Sequence, residues 1–219
     1  MMHNFFADLG SGVVPWYTIV IFAVMAYFLG NINPAILIGK AKGIDIRSQG
    51  SGNAGATNAM RSLGKKAGAI TFAIDLLKGW IGFYIPYLVL GALAPAMLCG
   101  LCVVLGHMYP VVFGFRGGKG VSTVFGVLLA ASWQYALLLF AVVIVFTLIF
   151  RRVSLSVMIA VGVGIVLLFW KGAGITDLSP LWVIILFALI VWKHRSNIKR
   201  LVLGQEPKLT FGKGSKKNG

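Results

Sequence analysis

The chain has 219 residues, of which 58% are hydrophobic and only 11% charged, with a mean hydropathy of +0.90. A water-soluble domain carries roughly 25% charged residues, so this composition excludes one and makes lipid the solvent. The net charge of +15, from 20 Lys/Arg against 5 Asp/Glu, falls in short loops between apolar runs, the pattern of cytoplasmic loops beside an anionic leaflet rather than of a nucleic-acid-binding face.

The N-terminal segment has neither a basic n-region nor a small-residue cleavage site. The first apolar run, 14–40, is therefore expected to be an uncleaved anchor. Asn31, Asn33 and Pro34 near its inner end should break the helix ladder, in the simplest reading as a packing kink. The loop 40–66 holds six basic residues and only Asp45 against them, so it should be cytoplasmic and the N-terminus outside. Within it lies Gly50-Ser51-Gly52-Asn53-Ala54-Gly55-Ala56-Thr57-Asn58, followed by Arg61. Glycines let backbone amides converge on an anion, and a helix opening near Thr57 or Asn58 would add its N-terminus. Arg61 would add a charge-assisted bond. The alternative is a loop whose glycines only permit turns.

The second run, 67–90, carries Asp75 and Lys78 one turn apart. Ionisable groups inside a span pair with one another or line a polar cavity. A structural ion pair is the default, and an active-site strut the alternative. The third run, 93–115, contains Cys99 and Cys102, which lack the partners of a zinc or redox site and read as inert thiols. His107 stands alone there and reads as structural. The loop Arg116-Gly117-Gly118-Lys119-Gly120 is no nucleotide P-loop. That motif needs Ser or Thr directly after the Lys and a further Gly upstream, whereas Gly120 and Phe113 occupy those places. The turn still suits a phosphate monoester.

The run 121–150 decides the topology. As one crossing it would put Arg151-Arg152 outside, and with them a tail of eight Lys/Arg against Glu206. A break at Ser132-Trp133-Gln134 returns every basic cluster to the inside. The expected fold class is therefore all-α: a polytopic membrane protein of seven transmembrane helices with polar cytoplasmic loops, N-terminus out and C-terminus in. The half-span 121–131 is too short to face lipid alone and must be wrapped by neighbours. After the runs 153–170 and 181–192, His194 and Asn197 should share one face of a continuing helix, with Lys193, Arg195, Lys199 and Arg200 as surface anchors. Residues 1–211 should form a single transmembrane domain, and 212–219 a disordered basic tail. Glu206, the only acid of that tail, should organise it by pairing.

Five scattered carboxylates offer no metal site, and no cofactor motif is present. No internal repeat of the kind that marks many transporters is evident. A transporter or channel for organic phosphates is nonetheless the alternative function, and a lipid-phosphate phosphatase the next enzyme.

Taken together, Gly50–Arg61 with Lys65-Lys66, Gly106-His107 through Pro110 to Gly120, and His194–Glu206 resemble the three motifs of the acyl-phosphate:glycerol-3-phosphate acyltransferase family of bacterial inner membranes (PlsY). Asp75-Leu76-Leu77-Lys78-Gly79 and Ser154-Leu155 extend the resemblance, which spans nearly the whole chain. Ala54, where many relatives have proline, should only loosen the turn. The resemblance implies an acyltransferase of phospholipid synthesis. It passes an acyl group from acyl phosphate to the 1-hydroxyl of glycerol 3-phosphate, releasing 1-acyl-glycerol 3-phosphate and phosphate. It implies seven spans with the active site facing the cytoplasm, and lipid but no nucleic acid or obligate protein as partner. Carried over residue by residue, Ser51, Gly52, Asn53 and Arg61 hold a substrate phosphate. Gly117, Gly118, Lys119 and Gly120 resemble the glycerol-3-phosphate motif. Ser154, His194 and Asn197 orient the hydroxyl and the carbonyl. Asp75, Lys78, His107 and Glu206 give structural support. The His-x4-Asp pair of classical glycerolipid acyltransferases is missing, so a His–carboxylate dyad is not expected.

Overall fold

The computed structural model describes residues 15–170 and 178–209, and every helix and strand position among them is helical. The tail 212–219, the domain boundary at 211 and the start of the anchor fall outside the described residues. In chain order the helices are α1 (Trp16–Asn31), α2 (Pro34–Ala41), α3 (Ala56–Leu63), α4 (Lys65–Leu90), α5 (Leu93–Met108), α6 (Val121–Ala131), α7 (Trp133–Phe150), α8 (Val153–Phe169), α9 (Pro180–Lys193) and α10 (Arg195–Val202).

The break in the first span lies where the asparagines are. Ile32 is extended, Asn33 caps α2 by accepting from the Ile36 amide at 3.1 Å, and Pro34 takes the first helical turn. It is more than a packing kink: the carbonyls freed at Gly30 and Ile32 both accept from the buried Lys78 ammonium. The run 121–150 is likewise broken at Ser132, between α6 and α7. Among the described residues, four stretches are long and apolar enough to cross a bilayer: Trp16–Ala41, Lys65–Leu90, Leu93–Phe113 and Trp133–Phe150. A fifth arises if α9 and α10, bent by 59° at His194, count together, while α6 and α8 are shorter apolar helices.

Eleven residues make α6 about 17 Å long, against a hydrocarbon core of about 30 Å. It is seated by glycine. A Cβ at Gly79 would come within 2.1 Å of the Thr123 carbonyl oxygen, and one at Gly126 within 1.9 Å of that of Leu76, so α4 and α6 meet backbone to backbone. Gly30 and Gly106 bring α1 and α5 together in the same way.

The main core joins Phe83, Val103, Val104, Val127, Tyr135 and Leu186 from the central helices. A smaller one of Ala35, Ile36, Ile46, Ala54, Ala59 and Leu63 lies under the first polar loop and holds it against the bundle. Val24, Leu88, Ile149, Val166 and Leu181 point outward, as lipid-facing side chains do.

Candidate active site

The first polar loop is built around Asn58. Its Nδ2 donates to the carbonyls of Ile46 (3.1 Å) and Gln49 (2.9 Å), and its Oδ1 accepts from the Ser51 amide at 2.9 Å. Gly50 sits against that side chain at φ +57°, where a Cβ would come 2.3 Å from Asn58 Oδ1. Asn33 Nδ2 donates to the Ala54 carbonyl at 3.2 Å and ties the loop to the first span. So held, the loop feeds α3, whose N-cap Gly55 offers no side-chain acceptor to the first turn. The N-cap of α6, Gly120, offers none either. Two helix N-termini without a side-chain cap thus meet one space, each with amide donors and a positive dipole end.

Beneath the second loop stands a buried cluster on α4 and α5. Lys78 Nζ lies 2.8 Å from Asp75 Oδ1 and 2.9 Å from His107 Nδ1, and His107 Nδ1 lies 3.3 Å from Asp75 Oδ1. A His–carboxylate pair therefore exists, contrary to the expectation drawn from spacing. It joins two helices, and a motif search within one segment cannot find it. Its far nitrogen is covered: a Cβ on Gly118 would stand 2.2 Å from His107 Nε2, and the Gly118 amide donates to the His107 carbonyl at 3.2 Å. The pair props up the Gly117-Gly118 turn.

The third group surrounds Glu206. Oε1 accepts from Ser154 Oγ (2.7 Å) and Asn197 Nδ2 (2.6 Å), and Oε2 accepts from Arg200 Nε at 2.8 Å. Lys119 Nζ donates to Asn197 Oδ1, joining the second loop to this group. Burial alone would raise the Glu206 carboxyl, but the hydrogen bonds from Ser154, Asn197 and Arg200 hold it below its ordinary value. Burial lowers Lys119 to about 8, aided by Arg200, Lys193 and Arg61 and opposed by Glu206. His194, just past the end of α9, is lowered to about 4 by burial and by nearby Lys119. Its Nδ1 lies 2.8 Å from the Ile190 carbonyl, which can only accept. The proton of the neutral ring is therefore on Nδ1, and Nε2 presents a lone pair.

Ser51, Asn53, Arg61, Lys119, Gly120, Ser154, His194, Asn197 and Glu206 line one cavity of about 240 Å³, with Asp75 and His107 at its wall. Gly52, Gly117, Gly118 and Lys78 do not line it. The Gly52 amide is engaged by the Gln49 carbonyl at 2.9 Å, and Gly118 by His107, so these two shape their turns. The helix expected to continue through His194 instead bends there. Two expected surface anchors have internal partners: Arg200 holds Glu206, and Lys193 donates to the Met108 carbonyl at 3.0 Å over the Tyr109 ring.

What the residue-by-residue reading missed is the other half of the cavity. Below the polar groups it continues as a slot lined by Phe72, Val124, Phe125, Phe140, Val157, Ala160, Phe187 and Ile190. Phe125 and Phe140 stack at 4.5 Å between centroids, with Phe72 beside them. In sequence these are ordinary core positions, and none of them signals locally that a space opens here. Among the described residues, no three His, Cys, Asp or Glu side chains converge as a metal site.

Residues 20–204 match the family model described as glycerol-3-phosphate acyltransferase. The chain is 40% identical over 201 residues to the glycerol-3-phosphate acyltransferase of Clostridioides difficile, covering 88% of this chain and 96% of that one. It is 45% identical over 184 residues to that of Aquifex aeolicus, covering 84% and 95%. Among solved structures it is similar to PlsY, an integral membrane glycerol 3-phosphate acyltransferase. To the glycerol 3-phosphate form the TM-score is 0.82 at 41% identity, over 88% of this chain and 96% of that one. To the lysophosphatidic acid form the TM-score is 0.78.

Proposed function

This chain belongs to the glycerol-3-phosphate acyltransferase family, and from that premise we propose that its acyl donor is acyl phosphate and its product 1-acyl-glycerol 3-phosphate. The observation that carries the reading is the cavity itself. One end gathers Arg61, Lys119 and two N-termini without side-chain caps, enough donors for two phosphates, and the other is an apolar slot. Both substrates carry a phosphate, and one carries a chain. Nothing in the cavity's polar end offers the stacking surface that an adenosine group would need.

In the proposed reaction the 1-hydroxyl oxygen of glycerol 3-phosphate attacks the donor's carbonyl carbon. The C–O bond to phosphate breaks, and phosphate leaves with the electron pair. His194 Nε2 accepts the hydroxyl hydrogen bond and aims the oxygen. With a pKa near 4 the ring is a weak base, so the proton goes to the departing phosphate, whose freed oxygen is the more basic group. Ser51, Asn53 and Arg61, with the α3 N-terminus, take one phosphate, and Lys119 with the α6 N-terminus takes the other. Gly52, Gly117 and Gly118 give those loops their shape. Ser154 and Asn197 work through Glu206, which holds Asn197 and thereby Lys119 at the mouth of the cavity. The protein crosses a bacterial inner membrane seven times, with its N-terminus outside and this site at the cytoplasmic face.

The test is turnover by purified protein with labelled glycerol 3-phosphate. Acyl phosphate should give lysophosphatidate, chelator should leave the rate unchanged, and acyl-CoA should not replace the donor. Robust activity with acyl-CoA alone, or its loss in chelator, overturns the reading.

A further inference from the structure

The apolar slot has a built floor. The lining runs from Val121 to Leu128 on α6, from Ser154 to Val161 on α8, and from His194, just past α9, back to Phe187; each is a rise of seven residue steps, so the slot runs about 10 Å below the polar groups. At that depth Tyr135 Oη, from α7, donates to the Gly164 carbonyl of α8 at 2.7 Å, and both are buried. Phe187 rests on this junction: a Cβ at Gly164 would stand 2.7 Å from the Phe187 ring and 2.8 Å from Tyr135 Oη. Phe187 is itself 3% exposed.

The other side of the same ring faces a second space. A groove along α9 and the start of α10, lined by Ile165, Ile184, Ala188, Val191, Trp192, Arg195 and Ile198, has Phe187 as one wall. One aromatic ring therefore separates the reaction cavity from this groove. Leu128, Ala136 and Val161 line the same inner end, and of these walls the Phe187 ring is the one shared with a second space.

We propose that Phe187, seated on the Tyr135–Gly164 hydrogen bond, closes the inner end of the acyl slot and sets the longest donor chain accommodated there. This rests on the reading that the slot holds the donor's chain. Removing the ring joins the slot to an apolar groove, so the added room suits further methylenes. Ala160 lines the slot one turn above the floor, where a larger side chain shortens it.

The experiment compares full-length wild type, Phe187→Ala, the milder Phe187→Leu, and Ala160→Leu. Each is assayed at saturating glycerol 3-phosphate with acyl phosphates from octanoyl to eicosanoyl. One methylene too many in a hydrophobic pocket is discriminated by roughly tenfold or more in kcat/KM. The wild-type profile should show such a cut-off. Both Phe187 variants should move it to longer chains and Ala160→Leu to shorter ones, with KM for glycerol 3-phosphate unchanged. A cut-off that stays in place in all variants, or moves the same way in both classes, overturns the proposal. If wild type turns over no acyl phosphate of any length, the acyl-phosphate reading itself has failed, which is a separate result.

Discussion

Lys119 and His194, which both line the cavity, titrate away from their ordinary values in ways that separate their roles. Lys119 is lowered to about 8 by burial, so it is charged below that pH and neutral above it. Glycerol 3-phosphate is a dianion above its second pKa of about 6. Attraction therefore needs a pH between the two, and kcat/KM for glycerol 3-phosphate should fall as pH rises through about 8. Arginine stays charged throughout that range, so Lys119→Arg should lack this limb even if its KM is higher. An alkaline limb of the same position in both proteins would separate the limb from Lys119. His194, lowered to about 4, is neutral throughout neutral pH, with Nε2 as its acceptor. Loss of an aimed hydrogen-bonding group costs about 10²–10³ in kcat, which is the expectation for His194→Ala. His194→Gln should recover part of this, because an amide can still accept the hydroxyl hydrogen bond. An acid limb near pH 6.5 in wild type that vanishes in both variants would make His194 the base instead.

At the scale of elements, α6 does the positioning. Its N-terminus carries Gly120 and follows Lys119, and its place is set by backbone contact with α4 through Gly79 and Gly126. Such a contact has no flexible atom to give way. Gly126→Leu would drive a side chain into the Leu76 carbonyl and push α6 off α4. Overpacking of this kind typically costs 1–3 kcal/mol, and it would also shift Lys119 from Asn197. The expected outcome is a lower melting temperature with helical content retained, and a kcat/KM loss larger than that of a substitution on the lipid face such as Val166→Leu. Wild-type kinetics in Gly126→Leu would mean that α6 does not set the site. The α1–α2 break is the second such device. By ending one helix before starting the next, it turns two carbonyls toward Lys78, and the Lys78–Asp75–His107 cluster then supports the Gly117-Gly118 turn. A buried ion pair adds little net stability over an apolar pair, so its value here is to define one arrangement of α1, α4 and α5.

For the whole molecule the decisive question is how often the chain crosses. Cysteines introduced singly at Ser132 and Ser179, in a chain lacking Cys99 and Cys102, should react with an impermeant thiol reagent added outside; those at Ser48 and Arg116 should not. Protection of Ser132 with labelling of Arg116 would reverse the orientation. The all-helical membrane fold, the break at Ser132 and the three polar stretches were legible because hydropathy and charge are local properties, and a lipid-facing span does not hold asparagine and arginine at those densities. The resemblance to ordered motifs also named Ser51, Arg61, Lys119 and His194 as candidate site residues, and the structure lines one cavity with them. What could not be read was everything set by contact between distant segments. Lys119 meets Asn197 across 78 residues of sequence, Ser154 meets Glu206 across 52, and Asp75 meets His107 from the neighbouring helix. Gly52 and Gly118 look like phosphate donors in sequence, yet their amides are taken by turns. The apolar slot was invisible because Phe125, Phe140, Ala160 and Phe187 are ordinary core residues until helix packing leaves a space between them. Sequence alone determined which residues must avoid lipid, since each carries that chemistry itself; only the tertiary structure decided which of them touch, since contact depends on the crossing of helices that no single segment encodes.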